Sequence, residues 1–271
     1  MSNYRFHYNN YSIQHYFVKY LYNREMVALP NKAIKGGFPL RNLRIHNTQS
    51  FQFWLKFVRM YTEPTKSYNL YYSLATFKNG IPFRNTKEGN LKEDFKEWNQ
   101  IAPKNIIAFD FPIDVDAGNF DEMPFAIESA ILIQDYLNKH NVPYNLRFSG
   151  MGFHFVIPYA FLPQHLSLDP NDDVNIYQYM HKIATKLNNN ITEMIDTTIY
   201  DSRRILKIPM SVSIYENVDY VCAPVSDMRH FDIENYKLAN YKSSNILKPD
   251  ELHNPSGNVK IWQNELPQPT K

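Results

Sequence analysis

Three short stretches carry residues whose types and spacing suit catalysis or ligand binding. The first is "FDFPIDVD", residues 109–116, where the apolar run "NIIAF" leads into Asp110, Asp114 and Asp116. Alternate residues of a strand share a face, so Asp110, Pro112, Asp114 and Asp116 point one way if the strand stays extended. Clustered carboxylates repel one another, and burying them unpaired is costly. A divalent cation removes both penalties, because Mg2+ favours carboxylate oxygens in octahedral geometry. The competing reading is an exposed strand end with incidental acids.

The second stretch is "RFSGMGFHFVIP", residues 147–158. Gly150 and Gly152 flank Met151 and allow backbone N–H groups to turn toward an anion. Ser149 adds a hydroxyl donor, and His154 follows among apolar neighbours, where a polar side chain needs a reason. The alternative is an ordinary hairpin turn with a satisfied histidine. The third stretch is "MIDTTIYDSRRILKIPMSVS", residues 194–213. Asp196 and Asp201 precede the basic residues Arg203, Arg204 and Lys207. Strand alternation sets Lys207 in one row with Ile205 and Pro209, which Ser211 and Ser213 continue. Such a row suits a phosphate site, or else the charges that protect an edge strand.

The elements that must position these residues are legible as patterns. Residues 12–23 and 50–64 read as helices, the second stopped by Pro64. Residues 69–77 read as a strand, and 85–100 as a polar loop with a short helix. "NIIAFDFPIDVD" reads as one strand. Residues 119–141 form the best helical pattern, with Asp121 and Glu122 early and Lys139 and His140 late, as the helix dipole prefers. "PYNLRF" and "GFHFVIPY" bracket the turn "SGMG" as a hairpin. Residues 172–190 read as another helix, and "RRILKIPMSVSIY" and "DYVCAPVSD" as two strands. The order implies an α+β (mixed α/β) fold around one sheet.

With 44% hydrophobic residues, 20 Tyr and 18 Phe, the 271-residue chain can bury a core, which argues against disorder. A formal charge of +2 permits nucleic-acid binding without demanding it, so any electrostatic footprint must be local. Cys222 is the only cysteine, which excludes an internal disulfide and a cysteine-based zinc module. No apolar run approaches the roughly 18 residues that span a bilayer. The N-terminus lacks a basic region followed by an apolar one. A cytoplasmic protein with no membrane partner is expected.

Taken in order, the three stretches resemble the three motifs of the archaeo-eukaryotic primase superfamily. Those motifs are an Asp-x-Asp closing an apolar strand, a Ser-Gly then Gly-x-His opening another, and an Asp ahead of a basic, apolar strand ending Pro-x-Ser-Val. "IDTTIYDSRRILKIPMSVS" followed by "VCAPVSD" is similar to the third motif and its flank in primase small subunits. The resemblance covers roughly residues 106–227, and it departs from the family in four places. If Asp110 leads the first motif, Pro112 takes the second acid's place; with Asp114 and Asp116 the Asp-x-Asp is intact. The spacing from Asp114 to His154 is close to that of related ligase-linked polymerase domains. "SGMGFH" is one residue shorter than the primase turn. Ser213 stands where many primases have histidine, and no cysteine zinc module is present.

The resemblance implies a single catalytic domain over 1–271. Its helical, aromatic N-terminal part is about 1–65, the motif-bearing core about 66–230, and a peripheral C-terminal segment about 237–271. It implies a sheet like an RNA-recognition module beside a smaller α/β unit, with the site in the cleft between them. It implies template-dependent nucleic-acid synthesis from nucleoside triphosphates with two Mg2+ or Mn2+ ions. The expected ligands and catalytic acids are Asp114, Asp116 and Asp196, with Asp110 as the alternative ligand. Ser149, Gly150, Gly152, His154, Lys207, Arg204 and Ser211 would meet the nucleotide, and Arg147 and Arg203 the nucleic acid. The implied partners are single-stranded DNA template, primer strand and nucleoside triphosphates, with a helicase or accessory replication subunit as a further candidate. A gap-filling repair polymerase of the same fold remains open, as do an inactive nucleic-acid-binding replication module and a metal-dependent nuclease.

Overall fold

The computed structural model describes residues 7–30, 40–43, 45, 47–60, 68–79, 101, 103–215, 218–241 and 252–257. The loop and short helix expected at 85–100 lie outside these residues, as does most of the segment after residue 241.

The chain is mixed α+β, with several small antiparallel sheets. Helix α1 (Tyr11–Tyr20) starts at Asn10, whose side chain accepts from the N–H groups of Ser12 and Ile13, and it buries Ile13, Tyr16 and Phe17. Strands β1 (Met26–Pro30) and β2 (Leu40–Leu43) follow. Helix α2 (Thr48–Met60) is capped by a reciprocal pair: Ser50 N–H donates to Asn47 Oδ1, and Ser50 Oγ accepts from Asn47 N–H. Next come β3 (Tyr68–Ser73), β4 (Ala75–Phe77), β5 (Ile106–Phe109) and β6 (Phe111–Asp116). After helix α3 (Met123–Lys139) the hairpin β7 (Asn145–Phe148) and β8 (Gly152–Ile157) forms. Helix α4 (Ile176–Asn190) starts four residues inside the expected boundary of 172, because Asn175 caps it by accepting from Gln178 N–H. Strands β9 (Ile205–Lys207), β10 (Val212–Tyr215) and β11 (Val218–Val221) complete the order.

One sheet runs β2-β1-β3-β9 and another β6-β8-β7, while β4 pairs with β5 and β10 with β11. The β6-β8-β7 sheet shows how the pattern of the sequence builds a site. Cross-strand rows alternate in character. Ile113, Phe155 and Leu146 form one row, and Val115, Phe153 and Phe148 another, all buried. Helix α3 packs on β6 and β8 through a face that includes Ala126, Ala130, Ile133 and Leu137. Between the two apolar rows lies a polar one: Asp114, His154 and Arg147. Strand alternation sends this row to the opposite face of the sheet, where Arg147 reaches β3.

Besides residues 69–77, which divide at Leu74 into β3 and β4, two further expected strands are each split in two. "NIIAFDFPIDVD" breaks at Asp110, so that β5 pairs with β4 while β6 pairs with β8. The cause is visible at the break. Arg24 donates to Asp110 Oδ2 at 2.6 Å, and Tyr159 N–H donates to Oδ1 at 3.0 Å. Arg24 also donates to the carbonyls of Ser73 and Leu74, where β3 gives way to β4. Arg24 and Asp110 therefore clasp the joints of both strand pairs. Asp110 has both oxygens occupied, which corrects the idea that it shares a face and a task with Asp114. Asp110→Asn is expected to lower stability by about 3 kcal/mol, the cost of breaking a largely buried pair. It should leave Mn2+ binding unchanged, and a Mn2+ titration beside a denaturant curve checks both.

The second split falls in "RRILKIPMSVSIY". β9 ends at Lys207, Met210 takes φ +69, and the chain resumes as β10 against β11. The expected continuous row from Lys207 to Ser213 is therefore not one strand. The turn nevertheless brings the two side chains into contact.

Candidate functional site

Asp114 and Asp116 lie in the C-terminal half of strand β6. Asp196 is brought to them by an antiparallel bridge between Val115 and Ile195, and its N–H donates to the Asp114 carbonyl at 2.9 Å. The Asp196 carboxylate is oriented from behind: Thr198 donates to Oδ1 through its N–H at 2.8 Å and its hydroxyl at 2.7 Å. Tyr200 is packed against Phe111 and donates to the Pro112 carbonyl, closing one side of the cluster.

Asp114 and Asp116 feel each of their charged neighbours. Burial, then Asp116 and Asp196, push the Asp114 carboxyl well above its ordinary range, with Arg204 and Lys207 opposing. The Asp116 carboxyl is also raised, first by lost hydration and further by Asp196, against the pull of Lys207 and Arg204. Burial pushes Tyr71 up to about 12, with help from Asp116, Cys222 and Asp114. A cluster that resists ionisation in this way is a functional-site signature.

The second stretch forms the hairpin turn beside the acids. Ser149 N–H donates to the Gly152 carbonyl and leaves Gly150 and Met151 as a two-residue loop. Gly150 takes φ +101, where a Cβ would also lie 2.8 Å from Ser213. Gly152 is fixed by packing: a Cβ there would lie 2.0 Å from the Val115 carbonyl oxygen on β6. Lys207 reaches this turn from β9, donating to the Ser149 carbonyl at 2.9 Å and to Ser213 Oγ at 2.6 Å. Burial lowers its pKa, while Cys222, Asp116 and Asp114 act to raise it. A lysine, a glycine turn and three acids thus meet at one place.

The other expected residues divide by exposure. Ser149 and Ser211 are buried, and Ser211 Oγ has no hydrogen-bond partner among the described residues. Arg204 donates through Nε to the Ile199 carbonyl and acts on both Asp114 and Asp116. Arg203 is exposed. Arg147 is only 2% exposed. Its guanidinium donates to the hydroxyls of Tyr72 and Tyr20 and lies over both rings. A side chain so enclosed has no face for a nucleic-acid strand, so its placement corrects the expected role. His154 is 4% exposed, with Nε2 at 3.4 Å from Asp114 Oδ1. Burial, then Arg147 and Lys207, push its pKa down to about 3, so the ring is neutral at pH 7. Its nearest partner is a carboxylate.

Ser213, Thr198, Tyr200 and Tyr71 belong to the site and were not singled out as its members from the sequence. Ser213 enters the sequence reading as the end of the Lys207 row and as a departure from the primase pattern, not as a named site residue. Thr198, two residues after Asp196, fits an Asx-type turn that residue types alone could have flagged.

Among the described residues, no group of three or more His, Cys, Asp or Glu side chains stands gathered to hold a metal ion. The donor chemistry still fits a divalent cation. Asp114 Oδ1 is buried without a hydrogen-bond partner among the described residues, and Asp116 and Asp196 add to the rise in its proton affinity. Asp114, Asp116 and Asp196 are the residues that would hold such an ion.

A scan of family models finds no match to this chain, and a search of curated proteins finds no significant one. No described helix is long and apolar enough to cross a membrane.

Proposed function

We propose that the protein is a template-dependent nucleotidyltransferase of the primase or primase-polymerase type, building nucleic acid from nucleoside triphosphates. One observation carries the reading. Lys207 and the Gly150 turn stand against the Asp114, Asp116 and Asp196 cluster, joined by hydrogen bonds on one side and by electrostatic coupling on the other. Acids alone would serve many hydrolases. A cation-lined glycine turn beside them suits a triphosphate.

In this reading Asp114, Asp116 and Asp196 hold Mg2+ or Mn2+, which when bound supplies charge neutralisation at the primer 3′-hydroxyl and the triphosphate. Lys207 exchanges its bonds to Ser149 and Ser213 for phosphate oxygens, and the turn presents backbone N–H groups. Arg204 balances the acids from beside Ile199, and exposed Arg203 is placed to meet the template backbone. Phosphoryl transfer needs positioning and charge compensation and no covalent nucleophile.

Incubation with single-stranded DNA, Mn2+ and nucleoside triphosphates, with and without primer, tests the reading. Product in both reactions is expected. Product only with primer assigns the chain to gap-filling extension, and none in either rejects synthesis.

A further inference from the structure

Three buried side-chain atoms without a hydrogen-bond partner among the described residues fall in one row across β6, β8 and β7. They are Asp114 Oδ1, His154 Nδ1 and Arg147 Nε. Orphaned buried polar atoms are rare, and a row of three calls for a common cause.

A neutral imidazole offers one donor and one acceptor. From the Asp114 side, the assignment is open. An ionised carboxylate only accepts, whereas a protonated one can donate to Nε2. Arg147 removes the ambiguity, because a guanidinium has donors alone. Nη1 and Nη2 each donate to a tyrosine hydroxyl, whereas Nε–H is buried with no partner among the described residues, beside its cross-strand neighbour His154. His154 Nδ1 must then accept, directly or through one water, and Nε2 must carry the proton. That proton faces Asp114 Oδ1 at 3.4 Å. Closing this distance pairs Asp114 Oδ1, and an Arg147 Nε–H bond to His154 Nδ1, direct or through one water, pairs the other two orphans.

We propose that Arg147 is a positioning residue: it fixes His154 as the Nε2–H tautomer, so that the ring holds Asp114 Oδ1 and turns the other carboxylate oxygen toward the ion. This rests on Asp114 being a metal ligand. The tyrosines extend the device. Tyr20 on α1 and Tyr72 on β3 hold the guanidinium, and Tyr20 also donates to Tyr72 at 3.1 Å. The N-terminal helix, which the motif resemblance does not explain, thereby contributes to the acid site through two intervening side chains. Groups behind a ligand commonly change metal affinity by about 10- to 100-fold.

The decisive experiment is long-range 1H–15N NMR of the metal-free full chain with 15N-labelled histidine, beside a Mn2+ titration of wild type and Arg147→Lys. Lysine keeps the charge and removes the guanidinium Nε–H. His154 should show a protonated Nε2 and a bare Nδ1 in wild type and a mixture of tautomers in the variant. Mn2+ affinity should fall about 10-fold in the variant. A protonated Nδ1 in wild type overturns the proposal, as does a variant with wild-type tautomer and affinity. If wild type shows the expected tautomer and binds no Mn2+, the link to a metal ligand fails with the metal site, while the tautomer assignment stands.

Discussion

Replacing Asp114 and Asp116 together by Ala is expected to lower the rate of nucleotide addition by about 10³-fold or more, equivalent to ~4 kcal/mol of transition-state stabilisation. Binding of single-stranded template should change by no more than about twofold, since template contacts are carried by cations and stacking surfaces. Primer extension and fluorescence anisotropy measure the two effects separately. Synthesis that survives the double change would remove these acids from the chemistry.

The acids also leave a thermodynamic trace. The raised Asp114 carboxyl means that the folded, metal-free chain holds this proton more tightly than the unfolded chain does. In the window from the ordinary carboxylate value, about 3.9, up to the raised one, its contribution to stability falls as pH rises. Asp114→Asn removes that loss. In the presence of a chelator the variant should melt above wild type at neutral pH, and the two should converge below about pH 4. A wild type that gains on the variant as pH rises would contradict the burial and crowding of Asp114.

The second large effect is expected from Gly152→Ala. The new Cβ would stand 2.0 Å from the Val115 carbonyl oxygen and 3.0 Å from Asp116 Cα, both backbone atoms of the paired strand. Neither can yield without parting β6 from β8, where the site is built. A stability loss of about 3 kcal/mol or more is expected, together with loss of Mn2+ binding. Gly118→Ala is the control, because its Cβ would meet only the flexible end of Glu122 at 3.0 Å. Urea unfolding of the two variants decides the matter, and equal midpoints would refute the close approach at Gly152.

Local pattern revealed the parts of the fold that local physics determines. The α3 and α4 periodicities and the turn between β7 and β8 are properties of neighbouring residues, and they lie where the sequence places them. The breaks at Asp110 and Met210 are different. Asp110 is spaced as a member of the acid row, and what removes it from that row is Arg24, 86 residues away in the chain. Nothing near Asp110 announces that partner. Arg147 shows the same limit. Its place beside the turn suggests a phosphate contact, whereas its direction is set by cross-strand register and by tyrosines on α1 and β3. The site itself was more legible. Asp114, Asp116, Asp196, the glycine turn and Lys207 are picked out by the resemblance to the primase motifs, and the fold brings them near one another. Ser213 was harder to see, because its contact with Lys207 depends on the turn at Met210.

The central claim is that this cluster holds a metal ion against a nucleoside triphosphate. A crystal structure of the full chain with Mn2+ and a non-hydrolysable nucleoside triphosphate tests it most directly. The account predicts anomalous density for manganese between Asp114, Asp116 and Asp196, with the phosphates against the Gly150 turn and Lys207. Manganese bound elsewhere, or a triphosphate away from Lys207, would contradict it.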